Sequence, residues 1–324
     1  MKLVVPKRVI LFACFSSFLS LPAFGNGPLP IGDQQVGLDA STVQKVSRTT
    51  FKMIDDTNDS HCTVAVISPE GEMFTALHCV LTCLAKNGAL EHASNTYIGL
   101  QNLIVPTRSK NTAVFCPNLS VPGLGAKGLT IVATGSALSD FDHHFLQNFP
   151  SLHQELKAQG FASRANDFAI LKVDSKKPLA CLKLAPQRLK NDVLKEKIWA
   201  LGFPLLEDVN AAVSLSASVG HIYKTPIESH HFKSKSVVSE KRYTETVYSG
   251  PGILFSDAQT NLGQSGGPVI DSTGGVIGIV SGFTNTTTAT GDVHELVAGS
   301  TNFVLGQLPV AEAKALLKRS QRCQ

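Results

Sequence analysis

Short apolar runs separated by turn residues make up most of this chain. The runs CTVAVIS and EMFTALH are rich in apolar and β-branched residues, and the turn-like PEG between them predicts a β-hairpin. Many short strands with glycine turns predict an all-β fold of antiparallel barrels or a sandwich. Further runs of this kind are LTIVATGSAL, DFAILKVD, KIWALGFP, AAVSLSASVGHIY, RYTETVY, GILFSD, PVID, GGVIGIVSG and GSTNFVLG.

Helical patterns are few. Residues 40–57 and 141–159 carry apolar positions at helical spacing, which predicts a short helix in each range. A further helix is predicted over 309–319. The Lys- and Pro-rich run DSKKPLACLKLAPQRLK predicts a boundary between two units near 175–190.

The composition favours a well-packed globular protein. Charged residues make up 17% of the 324 residues, which is below the ~25% of typical soluble domains. Large buried surfaces are therefore expected, and disorder is not. At ~150 residues per domain, the length fits about two units or one large all-β fold.

The first 25 residues have the three parts of a secretory signal peptide. A cationic start is followed by the apolar run VILFACFSSFLSL, and Ala23 and Gly25 offer small residues for cleavage. The run is too short for a comfortable membrane span, although an uncleaved anchor or lipidation at Cys14 would use the same segment. Cleavage removes three positive charges, so the net charge falls from +4 to +1 (4 − 3 = 1). That balance does not provide the electrostatic footprint of a nucleic-acid-binding protein.

Six cysteines remain after such cleavage, and an even number suits disulfides formed in an oxidising compartment. We therefore expect a secreted or periplasmic protein. No Cys-x2-Cys or His-x3-His pair offers zinc-ligand spacing, and Cys79 and Cys83 beside His78 come nearest to it. We expect no metal and no cofactor.

Three residues offer catalytic chemistry, although each also has an ordinary structural explanation. His78 in TALHC follows a strand, and imidazole is well suited to move protons at neutral pH, but a lone histidine is more often a satisfied core residue. Asp167 precedes the apolar run FAILKV, where a carboxylate needs a partner or caps a turn. Ser265 lies among three glycines in NLGQSGGPVI, and the strand-like PVI that follows indicates a constrained backbone rather than a loose turn.

Together these residues resemble the active site of the trypsin-like, chymotrypsin-fold serine proteases. The order His, Asp, Ser, with gaps of 89 and 98 residues, and the words TA-x-HC, ND-x-A-x-L and G-x-SGGP carry the resemblance over about residues 55–305. The stretch SDAQTNLGQSGGPVI and the word ALGFP are most similar to the bacterial HtrA-like branch. Too few residues follow GSTNFVLG for a PDZ domain, so we expect none.

The resemblance implies an all-β fold of two antiparallel six-stranded β-barrels, with a helix at the C-terminus. The expected divisions are a signal peptide at 1–25, an N-terminal extension at 26–54, a protease domain at 55–305 with barrels at about 55–175 and 190–305, and a helical tail at 306–324.

The resemblance also implies a role for each site residue. His78 is the general base, Asp167 orients it, and Ser265 attacks the peptide carbonyl to form an acyl-enzyme. The backbone N–H groups of Gly263 and Ser265 form the oxyanion hole. The substrate pocket is expected to have Gln259 and Thr260 near its base and Val280, Ser281 and Phe283 along its wall.

Two substitutions relative to better-known relatives affect what we expect of the site. No acid lies at the pocket base, so a preference for Arg or Lys is not expected, and Phe283 would narrow the pocket toward small or medium apolar side chains. Gln264 takes the position at which zymogen-activated relatives carry an aspartate. Activity is therefore expected without a freed N-terminus.

The resemblance pairs Cys62 with Cys79 in a disulfide that braces the histidine loop. The other four cysteines allow three pairings, of which we prefer Cys83–Cys116 with Cys181–Cys323. We expect a monomer that acts on protein or peptide substrates, with no nucleic-acid partner and no stable membrane span.

Two other functions fit part of the pattern. GQSGG also matches the G-x-S-x-G elbow of α/β-hydrolases, with Asp271, Asp292 and His294 downstream in the right order. The alternating helices of that fold are missing, however, and no HGGG-type oxyanion word occurs. A catalytically inactive protease homologue that serves as a binding module is the remaining alternative.

Overall fold

The computed structural model describes most of the chain but not all of it. The signal peptide expected at 1–25 and the helix expected at 141–159 lie outside the described residues. Within the described part, no helix combines the length and apolar character needed to cross a membrane. The described residues are 28–57, 60–87, 113–135, 167–185, 195–205, 214–224, 231–238, 241–248, 253–288 and 291–323.

Strands dominate the structure, as the apolar runs predict. The strands are β1 (Leu29–Pro30), β2 (Thr50–Asp55), β3 (Ser60–Val66), β4 (Glu72–Thr75), β5 (Val114–Val121), β6 (Ala126–Thr134), β7 (Ala169–Lys172), β8 (Lys197–Gly202), β9 (Ser216–Lys224), β10 (His231–Val238), β11 (Lys241–Tyr248), β12 (Ile253–Gln259), β13 (Pro268–Ile270), β14 (Val276–Thr288) and β15 (Gly291–Ser300). The α-helices are α1 (Ala40–Ser47), α2 (Leu81–Lys86), α3 (Thr301–Gln307) and α4 (Val310–Ser320).

These strands form two closed antiparallel barrels of six strands each. The first barrel has the order β2-β3-β4-β7-β6-β5. The second has the order β9-β12-β15-β14-β13-β8 and closes through a β8–β9 pairing, while β1 pairs with the first residues of β9. The strands β10 and β11 pair with each other. The expected fold class, the two-barrel chymotrypsin-like fold with a C-terminal helix, is confirmed.

Strand β3 and the residue after it are buried on two sides, which explains why CTVAVIS reads as a continuous apolar run. Successive side chains of a strand point to opposite faces. Val64 and Val66 pack in the core of the first barrel. Ala65 and Ile67 pack in a second cluster, which also contains Trp199 of the second barrel. One face of β3 therefore belongs to its own barrel, and the other faces the neighbouring barrel.

The N-terminal segment packs on the second barrel. Trp199 Nε1 donates to the Val36 carbonyl oxygen at 2.7 Å, and β1 pairs with β9. Asp39 caps α1 by accepting from the Thr42 N–H at 2.9 Å. The helix predicted over 40–57 ends at Ser47, because the following TFKMID alternates between more and less buried positions and forms β2 of the first barrel.

The C-terminal region is more helical than the sequence predicts. The strand expected at GSTNFVLG is wrong, since β15 ends at Ser300 and α3 follows at once. Thr301 Oγ1 donates to the Val276 carbonyl oxygen at 3.1 Å, and Val304 on this helix is fully buried. The helix predicted over 309–319 is confirmed as α4.

Three disulfides brace the described residues, and they follow the pairings preferred from the sequence. The one nearest the chain end attaches the segment after α4 to Cys181, which packs in the core of the first barrel, and Arg319 adds an ion pair with Glu72 through Nε at 2.7 Å. Ser320 Oγ accepts from the Leu184 N–H at 2.6 Å. The pairs are Cys62–Cys79, Cys83–Cys116 and Cys181–Cys323.

Candidate active site

The pairing of β4 with β7 brings His78 and Asp167 to the same end of the first barrel. Thr75 lies opposite Ala169 in this antiparallel ladder. His78 follows Thr75 by three residues, in a 3-10 turn over Leu77–Cys79. Asp167 precedes Ala169 by two residues. Because antiparallel partners meet in register, the two side chains leave the sheet together.

Two hydrogen bonds fix His78 to Asp167. His78 Nδ1 lies 2.8 Å from Oδ2, and the His78 backbone N–H donates to Oδ1 at 2.9 Å. Their side chains are 16% and 3% exposed. Since an ionised carboxylate only accepts hydrogen bonds, Nδ1 carries the proton in this contact, which leaves Nε2 as the acceptor of the neutral ring.

A third donor reaches the same carboxylate from the second barrel. Ser281 Oγ donates to Asp167 Oδ2 at 2.6 Å across 114 residues of sequence. Burial alone would raise the pKa of Asp167, but the charge of His78 and the hydrogen bonds from His78 and Ser281 outweigh burial and lower the pKa. Ser281 was expected on the pocket wall, and no local sequence signal identifies its bond to Asp167.

The turn that carries Ser265 packs against the segment that carries His78. The Ser265 carbonyl oxygen accepts from the Thr63 N–H at 2.8 Å, and Cys79 Sγ lies 3.8 Å from the same oxygen. A Cβ at Gly266 would overlap Thr75 Oγ1 and approach Ala76 N to 2.7 Å. Only glycine allows this close approach. Among the described contacts, no hydrogen bond joins the Ser265 hydroxyl to His78.

The peptide bonds before Gly263 and Ser265 are oriented by their carbonyl groups. The Leu262 carbonyl oxygen accepts from the Leu205 N–H at 2.7 Å, and the Gln264 carbonyl oxygen accepts from the Gly267 N–H at 2.9 Å. In a trans peptide the N–H points away from the C=O, and the described chain has no cis peptide bond. The Gly263 and Ser265 N–H groups therefore point away from these partners, and neither donates to an acceptor in the described residues.

Gln264 anchors this turn from inside the second barrel. Its side chain is fully buried. Oε1 accepts from the Asn261 N–H at 2.9 Å, and Nε2 lies 3.4 Å from both the Ala200 carbonyl oxygen and Ser218 Oγ. A neutral amide thus ties the two ends of the segment 261–264 together, and none of its partners among the described residues is charged.

The expected substrate pocket is described only in part. Gln259 ends β12 and is half-buried, and Val280 is buried in β14. Thr260 is buried, and its hydroxyl has no hydrogen-bond partner among the described residues. The side chain of Phe283 lies outside the described residues, so the narrowing of the pocket that it implies stays a prediction.

One group of side chains in the described residues has the atoms and spacing of metal ligands. It consists of Cys62, His78 and Cys79. Both cysteines are consumed by their disulfide. A metal needs cysteine as thiolate, so this group does not form a metal site.

The sequence itself decides the family. A model of the trypsin-like peptidase domain matches residues 62–279, which include all three candidate catalytic residues. The chain belongs to the trypsin-like peptidase family. No curated protein matches this trypsin-like peptidase by sequence.

The solved structures that resemble this trypsin-like peptidase include several that are distant in sequence. The MamO protease domain of Magnetospirillum magneticum, in its apo form, is 15% identical, with 82% of this chain and 98% of that chain covered and a TM-score of 0.42. The Rv3671c protease of M. tuberculosis, in its active form, is 17% identical, with 87% of each chain covered and a TM-score of 0.41. The HtrA-type protease AlgW with a tripeptide is 16% identical, with 82% and 61% covered and a TM-score of 0.41.

Proposed function

We propose that this trypsin-like peptidase is a serine endopeptidase that hydrolyses peptide bonds through Ser265, His78 and Asp167. The observation that carries the proposal is the double hydrogen bond between His78 and the buried Asp167, with Nδ1 to Oδ2 at 2.8 Å. This contact holds the imidazole in one orientation and leaves Nε2 available as a base. The Ser265 turn packs beside the same segment, within 3.8 Å of Cys79.

The reaction begins with proton transfer from Ser265 to His78. As Oγ bonds to the substrate carbonyl carbon, its proton passes to Nε2, and the carbonyl electron pair moves to oxygen. The carboxylate of Asp167 stabilises the imidazolium that results. The bond between Ser265 Oγ and His78 Nε2 forms in the substrate complex, since catalytic hydrogen bonds of this kind are often long in free enzymes.

The second half of the reaction returns the enzyme to its starting state. The tetrahedral intermediate collapses, the carbon–nitrogen bond breaks, and Nε2–H protonates the leaving amine. Water then attacks the acyl-enzyme with His78 as base, which releases the acid product and restores the Ser265 hydroxyl. The N–H groups of Gly263 and Ser265 stabilise both oxyanions, a contribution of about 3 kcal/mol for each donor in related enzymes.

The same proposal places the protein in a secreted or periplasmic setting. Three disulfides join described residues, and disulfides persist in oxidising compartments. The net charge of +4 for the whole chain offers no strong attraction for nucleic acid. We expect protein or peptide substrates and a monomeric enzyme.

A fluorophosphonate probe tests the nucleophile directly. The wild-type protein should label at one residue, and Ser265→Ala should abolish both labelling and peptidase activity. Ser272→Ala removes an exposed hydroxyl from the turn that follows β13 and should label like the wild type. His78→Ala should slow labelling by at least about 10³-fold, because the serine loses its base.

The same experiment separates the enzyme from an inactive homologue that acts as a binding module. A folded wild-type protein that does not label, and that cleaves no member of a broad peptide library, would be such a homologue. Labelling at a residue other than Ser265 would also contradict the proposed nucleophile.

A further inference from the structure

We propose that Thr63 and His61, two residues of the first barrel, are positioning residues for the oxyanion hole of the second barrel. The inference rests on the proposed peptidase function. We call these two side chains the β3 clamp. They act on the backbone of Phe203 and Gly263.

The Thr63 hydroxyl joins two segments of the second barrel. Thr63 Oγ1 donates to the Gly263 carbonyl oxygen at 2.8 Å and accepts from the Phe203 N–H at 3.0 Å. A hydroxyl has one proton and two lone pairs, so it can serve both groups at once. Thr63 is fully buried, and a buried hydrogen bond is costly to lose because water does not replace it.

His61 holds the other polar group of the same residue. His61 Nε2 lies 3.1 Å from the Phe203 carbonyl oxygen. A carbonyl oxygen only accepts, so Nε2 carries the proton in this contact. The N–H and the C=O of Phe203 are thus both bound to side chains of β3, which fixes the orientation of this residue.

The fixed segment in turn orients the peptide bond before Gly263. Two residues after Phe203, the Leu205 N–H donates to the Leu262 carbonyl oxygen at 2.7 Å. This bond turns the Gly263 N–H away from Leu205 and makes it available as an oxyanion donor. The β3 clamp therefore connects to the oxyanion hole through Phe203 and Leu205, and again directly through the Gly263 carbonyl.

A glycine at this place makes such support necessary. Gly263 has φ +88°, and glycine reaches both signs of φ with little steric cost. If the peptide before it rotated, the Leu262 carbonyl would replace the N–H donor. The packing is tight as well, since a Cβ at Gly263 would overlap the Phe203 carbonyl and approach His61 Nε2 to 2.7 Å.

Strand geometry explains why His61 and Thr63 both reach the segment at Phe203. Residues 61 and 63 lie on one face of β3, and residue 62 lies on the other. Cys62 forms the disulfide with Cys79 beside the first-barrel core. One strand thus braces the loop of the proposed base on one face and the proposed oxyanion hole on the other.

The test compares hydroxyl removal with hydroxyl retention at position 63. Thr63→Val keeps the shape of the side chain and removes its oxygen, whereas Thr63→Ser keeps the oxygen. Thr50→Val is the matched control, because Thr50 is a buried β2 threonine whose hydroxyl has no partner among the described residues. The readouts are the second-order rate of inactivation by a fluorophosphonate probe and the melting temperature.

We expect Thr63→Val to slow inactivation about 10-fold, because two hydrogen bonds of modest net strength are lost. These bonds then no longer favour the orientation in which the Gly263 N–H is available as an oxyanion donor. Thr63→Ser should restore the rate to within about threefold, and Thr50→Val should react like the wild type. At the second residue of the β3 clamp, His61→Gln keeps an N–H donor and should react faster than His61→Leu. This second pair tests the inference even if Thr63→Val does not fold.

Several results would overturn the inference. A folded Thr63→Val protein with wild-type reactivity would do so, as would a loss that Thr63→Ser does not reduce. Equal reactivity of His61→Gln and His61→Leu would remove His61 from the β3 clamp. In all of these cases the wild type still labels at Ser265, so the proposed function stands; a wild type that does not label removes the proposed function itself.

Discussion

At the residue scale, Gln264 is a buried polar side chain that is held by neutral contacts. The position lies directly before the proposed nucleophile, and its side chain is fully buried. The amide binds the Asn261 N–H and lies near the Ala200 carbonyl oxygen, so every described contact of the side chain is neutral. A neutral anchor needs no terminal ammonium to balance it in the interior.

This anchor predicts activity without a freed N-terminus. A mature chain that begins at residue 26 should keep its kcat/KM within about twofold when several residues are added in front, because Gln264 needs no ion pair with the terminus. Peptide hydrolysis by the extended and unextended chains provides the measurement. A large loss of activity in the extended chain, with an unchanged melting temperature, would contradict the prediction.

Asp167 gives a prediction about stability and pH. Burial raises its pKa, but the charge of His78 and the hydrogen bonds from His78 and Ser281 lower it below the ordinary value. A group whose folded pKa is lowered contributes stability above its unfolded pKa of ~3.9 and loses that contribution as the pH falls through the folded value. The stability that the wild type has over Asp167→Asn should therefore decrease as the pH falls.

Urea unfolding at a series of pH values checks this expectation. The difference in unfolding free energy between wild type and Asp167→Asn should decrease as the pH falls from about 5 toward 2. Asp174→Asn changes an exposed carboxylate after β7 and should show a much smaller change. A difference that stays constant down to the acid end would mean that the pKa of Asp167 is not lowered by folding.

At the scale of elements, local sequence patterns predicted which segments form strands better than they predicted which strands pair with each other. Alternating or continuous apolar runs predicted β3, β4 and β7, because burial of a strand face fixes the residue types there. The strand β15, in GDVHELVAGS, was missed. It begins with Gly and Asp, which are rare in strands, but it pairs with both β12 and β14. Pairing on both edges outweighs weak local preference.

The candidate site likewise combines residues that a local pattern identifies with contacts between distant parts of the chain. The proposed chemistry requires the residue types of His78, Asp167 and Ser265, so short sequence motifs are enough to predict them. The bond from Ser281 to Asp167 spans 114 residues, and the bond from Thr63 to Gly263 spans 200. Such contacts depend on how two barrels dock, which no local pattern records.

The C-terminal helix carries a prediction about stability. The Cys181–Cys323 disulfide closes a sequence separation of 142 residues, and a cross-link over a long loop mainly restricts the unfolded chain. Replacing both cysteines by serine should lower the unfolding free energy by about 2–4 kcal/mol. The variant should keep its kcat/KM at low temperature, since α4 makes no described contact with the proposed catalytic residues. Urea titration measures the change, and an unchanged midpoint would contradict it.

At the scale of the whole molecule, the proposed chemistry is divided between the barrels. His78 and Asp167 come from the first barrel, and Ser265, Gly263 and Ser281 come from the second. The family assignment and the two-barrel fold follow from the sequence and the strand order. The pocket predicted around Thr260 is expected to set the preference for particular substrates.

Because strand β3 contributes side chains to the contact between the two barrels, the proposed peptidase activity should depend on how closely the barrels dock. The odd-numbered side chains of β3 point toward the second barrel. A slight separation of the two barrels would therefore free the N–H groups of the proposed oxyanion hole, while each barrel kept its own strands paired. Mild denaturant should thus abolish peptide hydrolysis before circular dichroism detects any loss of strand. Loss of hydrolysis would then be the first measurable sign that the barrels have begun to separate.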